Sequence, residues 1–259
     1  MSYDLFALQR DLRACRRCLD AGYWIEPGPV FSGGPKSKVM LIGQAPGVTE
    51  GKVKRPFNAG SGRRLFRWLG EAGWDETGFR DRHYMTAVTK CYPGRSGNGK
   101  GDRVPSRAEQ ALCRPWLDQE IRLVNPILMI LIGGLAIKLL FPPKLRLSEV
   151  IGTAAWFSPE ALANDALNFD IRQAELMVTA GDARQVQYGL MNGDQPTSEC
   201  ENRLSDNVSL GTRRWSGGRF VVPLPHPSGA SLWPNRPENK VLIDRAIALL
   251  SAVREAYGL

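Results

Sequence analysis

Apolar residues gather in four short runs along the chain: "KVMLIGQ" (38–44), "HYMTAVTK" (83–90), "PILMILIGG" (126–134) and "RFVVPLPH" (219–226). Short and largely apolar on consecutive positions, they predict strands buried on both faces of a parallel sheet. Between them the pattern lengthens to the period of amphipathic helices. "SGRRLFRWLGEAG" (61–73) offers Ser61 as a cap and Gly73 as a stop. "SRAEQALCRPWLDQEIRLV" (106–124) opens on a capping box, Ser106 with Glu109 three residues on. "GLAIKLLF" (134–141) and "ENKVLIDRAIALLSAVREAY" (238–257) complete the alternation. Strands alternating with helices predict an α/β fold, with a central, mainly parallel four-stranded sheet covered by helices on both faces. Residues 155–215 break the rhythm, being polar, acidic and rich in Asn, Gln and Gly, with one helical stretch at 159–177. They read as an insertion before the last strand of a single domain spanning 1–259.

Composition narrows the class. Hydrophobic content of 43% with 23% charged residues is that of a soluble globular protein. No run of eighteen apolar residues occurs, which excludes a membrane-spanning helix. "MSYDLFALQRDLRACRRC" lacks an apolar signal core, so a cytoplasmic location is expected rather than export. The net charge of +8 is uneven: residues 155–210 carry nine Asp/Glu and three Arg, or −6, which leaves +14 on the remainder. A basic body of that size points to a polyanion, nucleic acid first. The acidic insertion would repel DNA, and a flap that docks a protein partner or a disordered excursion is the expectation, with a lid over the basic groove as the competing one.

Candidate chemistry lies at the ends of the apolar runs. "CRRC" supplies Cys15 and Cys18, Cys91 follows the second run, and Cys113 sits on the next helix. One close pair with two distant singles suits a [4Fe–4S] cluster, and zinc accepts the same four ligands. Cys200, inside the insertion, has no partner. The first run ends in "GQAPG", where Gly43 and Gly47 let the backbone approach a ligand and Pro46 stiffens the turn. The last ends in "HPSGAS", which carries His226, one of two histidines; His83, at the start of a strand, reads as structural. Ligands in open α/β sheets bind beyond the carboxyl ends of the strands, so the two turns are expected to face one pocket.

Taken together, Cys15/Cys18, "GQAPG", "RPF" (55–57), "TAVTKC" (86–91), Cys113 in "CRPW" and "HPSGAS" occur in an order that resembles the uracil-DNA glycosylase superfamily. The likeness is to its iron–sulfur branches, family 4 and family 5. It implies a three-layer α/β/α sandwich, a [4Fe–4S] cluster on the four cysteines, and hydrolysis of the N-glycosidic bond of uracil or another deaminated base flipped out of DNA. It further implies that His226 stabilises the departing base as a neutral imidazole, that Phe57 stacks on the base, and that the 43–47 loop lines the pocket. By the same resemblance Ser228 contacts a DNA phosphate. Departures from the family pattern are Gln44 where family 4 has Glu, Ala45 where family 1 has Asp, Asn58 where family 5 offers an acid, and Ala87 in place of a base-reading Asn. Gln44 is then expected to orient water or the base, and Asp102 or Glu50 is a candidate to help in place of the lost acid, although spacing singles out neither. No lysine stands in these motifs, so a Schiff base is not expected. The competing expectation is a lesion-binding or single-strand-binding protein on the same fold, without catalysis.

Overall fold

Four parallel strands form the centre of a computed structural model, which describes residues 4–58, 60–97, 101–164, 171–180, 185–192, 195–196, 217–229 and 231–259. They are β1 (Val39–Gly43), β2 (Tyr84–Ala87), β3 (Leu128–Ile132) and the last strand of the chain, β8 (Arg219–Leu224), in the spatial order β2-β1-β3-β8. Register sets Ile42 beside Thr86, Leu41 beside Ile130 and Ile130 beside Val222. Every residue of these strands is buried. Successive side chains point to opposite faces, so complete burial means that both faces are covered, as the α/β reading requires.

The sheet is longer than the four strands expected from the sequence. β4 (Thr153–Phe157) pairs antiparallel with β8, and β5 (Glu175–Ala180), β6 (Gln185–Asn192) and β7 (Gln195–Pro196) extend it to eight strands. Among the described residues, the stretch read as a helix at 159–177 holds α9 (Pro159–Asn164), a 3₁₀ turn at Ile171–Gln173 and the first residues of β5. A short apolar run such as "ELMVTA" has no period that separates strand from helix, and an antiparallel neighbour decides the matter. Much of 155–215, Cys200 included, lies outside the described residues.

Helices are α1 (Leu5–Arg13), α2 (Arg17–Asp20), α3 (Val48–Val53), α4 (Gly60–Glu71), α5 (Glu76–Arg82), α6 (Arg107–Val124), α7 (Gly134–Ile137), α8 (Leu147–Val150), α9 and α10 (Pro237–Tyr257). The capping box of α6 is formed: Ser106 accepts from the Glu109 N–H while Glu109 accepts from the Ser106 N–H. α4 begins at Gly60, so Ser61 lies in its first turn rather than capping it. Gly73 ends the following turn at φ +96°, where an L side chain would be strained. α7 is shorter than the 134–141 stretch. α1 packs on α6, and α10 lies along β8, β4 and β5.

Candidate active site

The carboxyl ends of β1, β2, β3 and β8 share one edge of the sheet, and a cleft of about 550 Å³ opens there. Gly43, Gln44, Ala45, Pro46 and Gly47 line one side; Ala87, His226 and Ser228 line it from β2 and the turn after β8, and Phe57 from the "RPF" turn. Asn58 is not among the lining residues; its amide oxygen accepts from Arg55 Nη1 at 3.4 Å.

Close packing of small residues sets the cleft's shape. A Cβ on Gly43 would stand 2.9 Å from Phe57 Cζ, and one on Gly133 would stand 3.0 Å from His226 Cδ2. Phe57 has φ +50°, unusual for a residue with a side chain. Arg80 of α5 holds it there: its guanidinium donates to the Pro56 carbonyl at 2.8 Å and the Phe57 carbonyl at 2.9 Å, and lies 4.3 Å from the Phe66 ring centroid. Burial holds the Arg80 pKa below its usual value, while its bond to Glu76 acts in the other direction. The sequence gives no sign of this clamp beyond an i,i+4 Glu76–Arg80 pair, which reads as an ordinary helix surface.

His226 is half-buried, and burial lowers its pKa, which favours the neutral ring. The Ser228 backbone N–H donates to His226 Nδ1 at 3.2 Å, and the Ser228 hydroxyl sits 2.9 Å from the same atom. A backbone N–H has only a proton to offer, so Nδ1 is the acceptor and the neutral ring carries its proton on Nε2. Ser228, expected against a phosphate, thus braces the imidazole.

The two acids that the sequence offered as substitutes for the lost one, Glu50 and Asp102, both line the cleft. A Cβ on Gly47 would stand 2.7 Å from Glu50 Oε2 and 3.1 Å from Asp102 Oδ2, so the two oxygens lie within the sum of those distances of each other. Glu50 is buried, and Asp102 accepts from the Tyr92 hydroxyl at 2.9 Å. The Arg95–Asp102 bridge closes the 94–103 hairpin on itself, and the fold sets Asp102 of that hairpin across from Gly47 and Glu50.

Beside the cleft, Cys15, Cys18, Cys91 and Cys113 line a second, apolar cavity. Burial first, then the neighbouring thiols, raises the Cys18 pKa to about 11 and that of Cys91 to about 12. Burial raises Cys113 as well. Trp116 Nε1 donates to Cys15 Sγ at 3.1 Å, and the backbone N–H groups of Gly28 and Lys90 donate to Cys91 and Cys113. Cys18, Cys91 and Cys113, whose ionisation burial and their neighbours disfavour, form with Cys15 a thiol set that a cationic metal would relieve. Among the described residues no three His, Cys, Asp or Glu side chains close on a single-ion site.

A charged network includes Lys90 from the wall of the cysteine cavity and Thr86 from the wall of the cleft. Lys90, 1% exposed, pairs with the fully buried Glu120 at 2.8 Å. Glu120 also accepts from the Tyr84 and Thr86 hydroxyls at 3.0 Å, and Lys90 donates to the Ala87 carbonyl at 2.5 Å. Burial and Glu120 push the Tyr84 pKa far above its usual value. His83 is buried against Phe79, 4.8 Å between ring centroids, in keeping with its structural reading.

The family model described as "Uracil DNA glycosylase superfamily" matches residues 31–250. The chain belongs to that superfamily. Among its curated relatives is the Type-4 uracil-DNA glycosylase of Sulfurisphaera tokodaii, 29% identical over 52% of this chain and 56% of the relative. The Type-4 uracil-DNA glycosylase of Pyrobaculum aerophilum is 31% identical over 58% of this chain and 70% of its own length. The Type-5 uracil-DNA glycosylase of Mycobacterium bovis is 30% identical over 53% of this chain and 52% of its own. The chain thus spans little more than half the length of the first and third. Within the described residues, no helix of this superfamily member is long and apolar enough to cross a membrane.

Proposed function

We propose that the protein is a monofunctional DNA glycosylase that hydrolyses the N-glycosidic bond of uracil, or another deaminated base, flipped into the cleft. One observation carries the reading: a neutral His226 with its proton on Nε2 lines the same cleft as Phe57 and the Glu50–Asp102 carboxylates. As the C1′–N1 bond breaks, its electron pair leaves with the base, and negative charge gathers on a pyrimidine carbonyl oxygen. Nε2–H donates to that oxygen, the fixed-donor stabilisation on which such a departure depends. Phe57 stacks on the ring. Water adds to C1′ and gives its proton to Glu50 or Asp102, which take the role that Gln44 and Ala45 cannot fill. Gly43, Ala45, Pro46, Gly47 and Ala87 bring backbone and small side chains against the base, and Gln44 orients base or water.

Cys15, Cys18, Cys91 and Cys113, four thiols around one apolar cavity, are a donor set that fits a [4Fe–4S] cluster. Such a cluster would cross-link the start of the chain to the segments on either side of the 94–103 hairpin. The experiment is incubation with a uracil-containing oligonucleotide followed by alkali. Cleavage at the uracil position supports the proposal. An intact strand that is nonetheless bound tightly favours the non-catalytic binding protein.

A further inference from the structure

An aromatic side chain beside the cleft takes no part in the hydrolysis proposed above. Trp24 is 66% exposed, between the Cys18 turn and the buried Ile25. Its backbone is fixed from two directions. Its carbonyl accepts from Arg103 Nη2 at 2.8 Å, and Arg103 is itself held by a fork to Glu109 at 2.6 and 2.7 Å. One residue on from Ile25, the Glu26 N–H donates to the Tyr92 carbonyl at 3.0 Å.

The indole lies against Gly94, where the chain turns with φ +99° and a Cβ would stand 2.4 Å from Trp24 Cζ3. Both the turn and the ring therefore require glycine at that position. Gly94 accepts from the Arg103 N–H at 2.9 Å across the hairpin, and Asp102 and Arg103 line the cleft. Trp24 is thus seated on the hairpin that walls the cleft, as a rigid ring with most of its surface open to solvent.

We propose that Trp24 is a stacking platform for an unpaired nucleobase next to the nucleotide that enters the cleft, on the same strand. The proposal rests on the reading of the cleft as a site for a flipped nucleotide. Extruding one base exposes the faces of its neighbours, and a fixed indole offers them a surface that accepts any base. The surroundings favour a polyanion: Arg95 is exposed on the hairpin, and Arg16 and Arg17 are exposed at the start of α2, which precedes Trp24. The cost of ordering this aromatic is already met by the Arg103 bond and the Gly94 contact, so binding gains the stacking with little further loss of entropy.

The test measures affinity for a single-stranded oligonucleotide carrying one 2′-fluoro-2′-deoxyuridine, which resists hydrolysis. Trp24→Ala and Trp24→Leu should each weaken binding about tenfold, the ordinary effect of losing one aromatic stack. Trp24→Phe should retain most of the affinity, and all three variants should melt with the wild type, since the side chain is exposed. On the fluorinated mononucleotide alone the variants should match the wild type, because no neighbouring base is present. Wild-type affinity in Trp24→Ala would overturn the platform and leave the cleft reading intact, and a partner other than nucleic acid would then own this surface. A loss that persists on the mononucleotide would also overturn it. Failure of the wild-type protein to bind either ligand would overturn the cleft reading, and the platform with it.

Discussion

Arg80→Ala tests how the cleft keeps its shape. The guanidinium makes two bonds to carbonyls of the "RPF" turn, at 2.8 and 2.9 Å, and one to Glu76 at 2.8 Å. A charged donor contributes roughly 1.5–3 kcal/mol per bond, and contact with the Phe66 face adds about 1 kcal/mol. Burial of the guanidinium opposes this, as its lowered pKa records, and the half-exposed Glu76 adds little. A net loss of about 3 kcal/mol follows, and at ~2–4 °C per kcal/mol for a chain of this size the melting point should fall by roughly 10 °C. The functional loss should be larger than stability alone explains. Phe57 sits at φ +50°, a conformation that costs about 1–2 kcal/mol and persists only while the turn is clamped. Released, the ring relaxes away from Gly43, and kcat/KM for uracil excision should drop by about tenfold or more, chiefly through KM. Arg80→Lys keeps the charge without the fork and should fall between. Thermal melts and single-turnover excision, both measured well below the melting point, check this. A destabilised Arg80→Ala with unchanged kcat/KM would refute the positioning argument, and an unchanged melting point would refute the energetic one.

Three further outcomes are expected. Lys90→Met strands the fully buried Glu120 and should cost about 3–5 kcal/mol in denaturant unfolding, most of it recovered by Lys90→Met/Glu120→Leu; an equally unstable double variant would assign the loss to packing. His83, held by burial to a pKa of about 4 against an ordinary 6.5, stays neutral in the fold while the unfolded chain takes up its proton, so stability should fall from about pH 6.5 to about pH 4. That slope is worth up to roughly 3 kcal/mol and should disappear in His83→Phe. Anaerobically purified protein should be brown with about four irons per chain and lose the colour in Cys91→Ser, whereas stoichiometric zinc without iron would contradict the cluster.

The four parallel strands were legible because a strand buried on both faces must be apolar throughout, and few other elements look like "PILMILIGG". The α6 start was legible for a local reason, since both halves of its capping box lie within four residues. The antiparallel strands were not. Thr153–Phe157 is a strand by virtue of its pairing with β8, some sixty residues on, and Glu175–Ala180 by its pairing with β4 and β6, none of which its own short apolar run reveals. The site divides the same way. "GQAPG", "RPF" and "HPS" stand out because a tight turn restricts which residues can build it. Glu50, Asp102 and Arg80 sit in unexceptional sequence and acquire their places only when the loops meet at the sheet's edge. "LW" at 232–233 shows the limit from the other side: Leu232 is 71% exposed while Trp233 packs on the core, a division that adjacent apolar residues do not reveal.

The central claim is that a neutral His226 in this cleft stabilises a departing base. Its most direct measurement is the rate at which free uracil is released from a uracil-containing oligonucleotide under single-turnover conditions, by wild type and by His226→Ala. The wild-type protein should release uracil, and the variant should do so about 10²–10³-fold more slowly with nearly unchanged affinity for DNA, the ordinary cost of one lost oxyanion donor. Equal rates in the two proteins, or no uracil released by the wild type, would contradict the account.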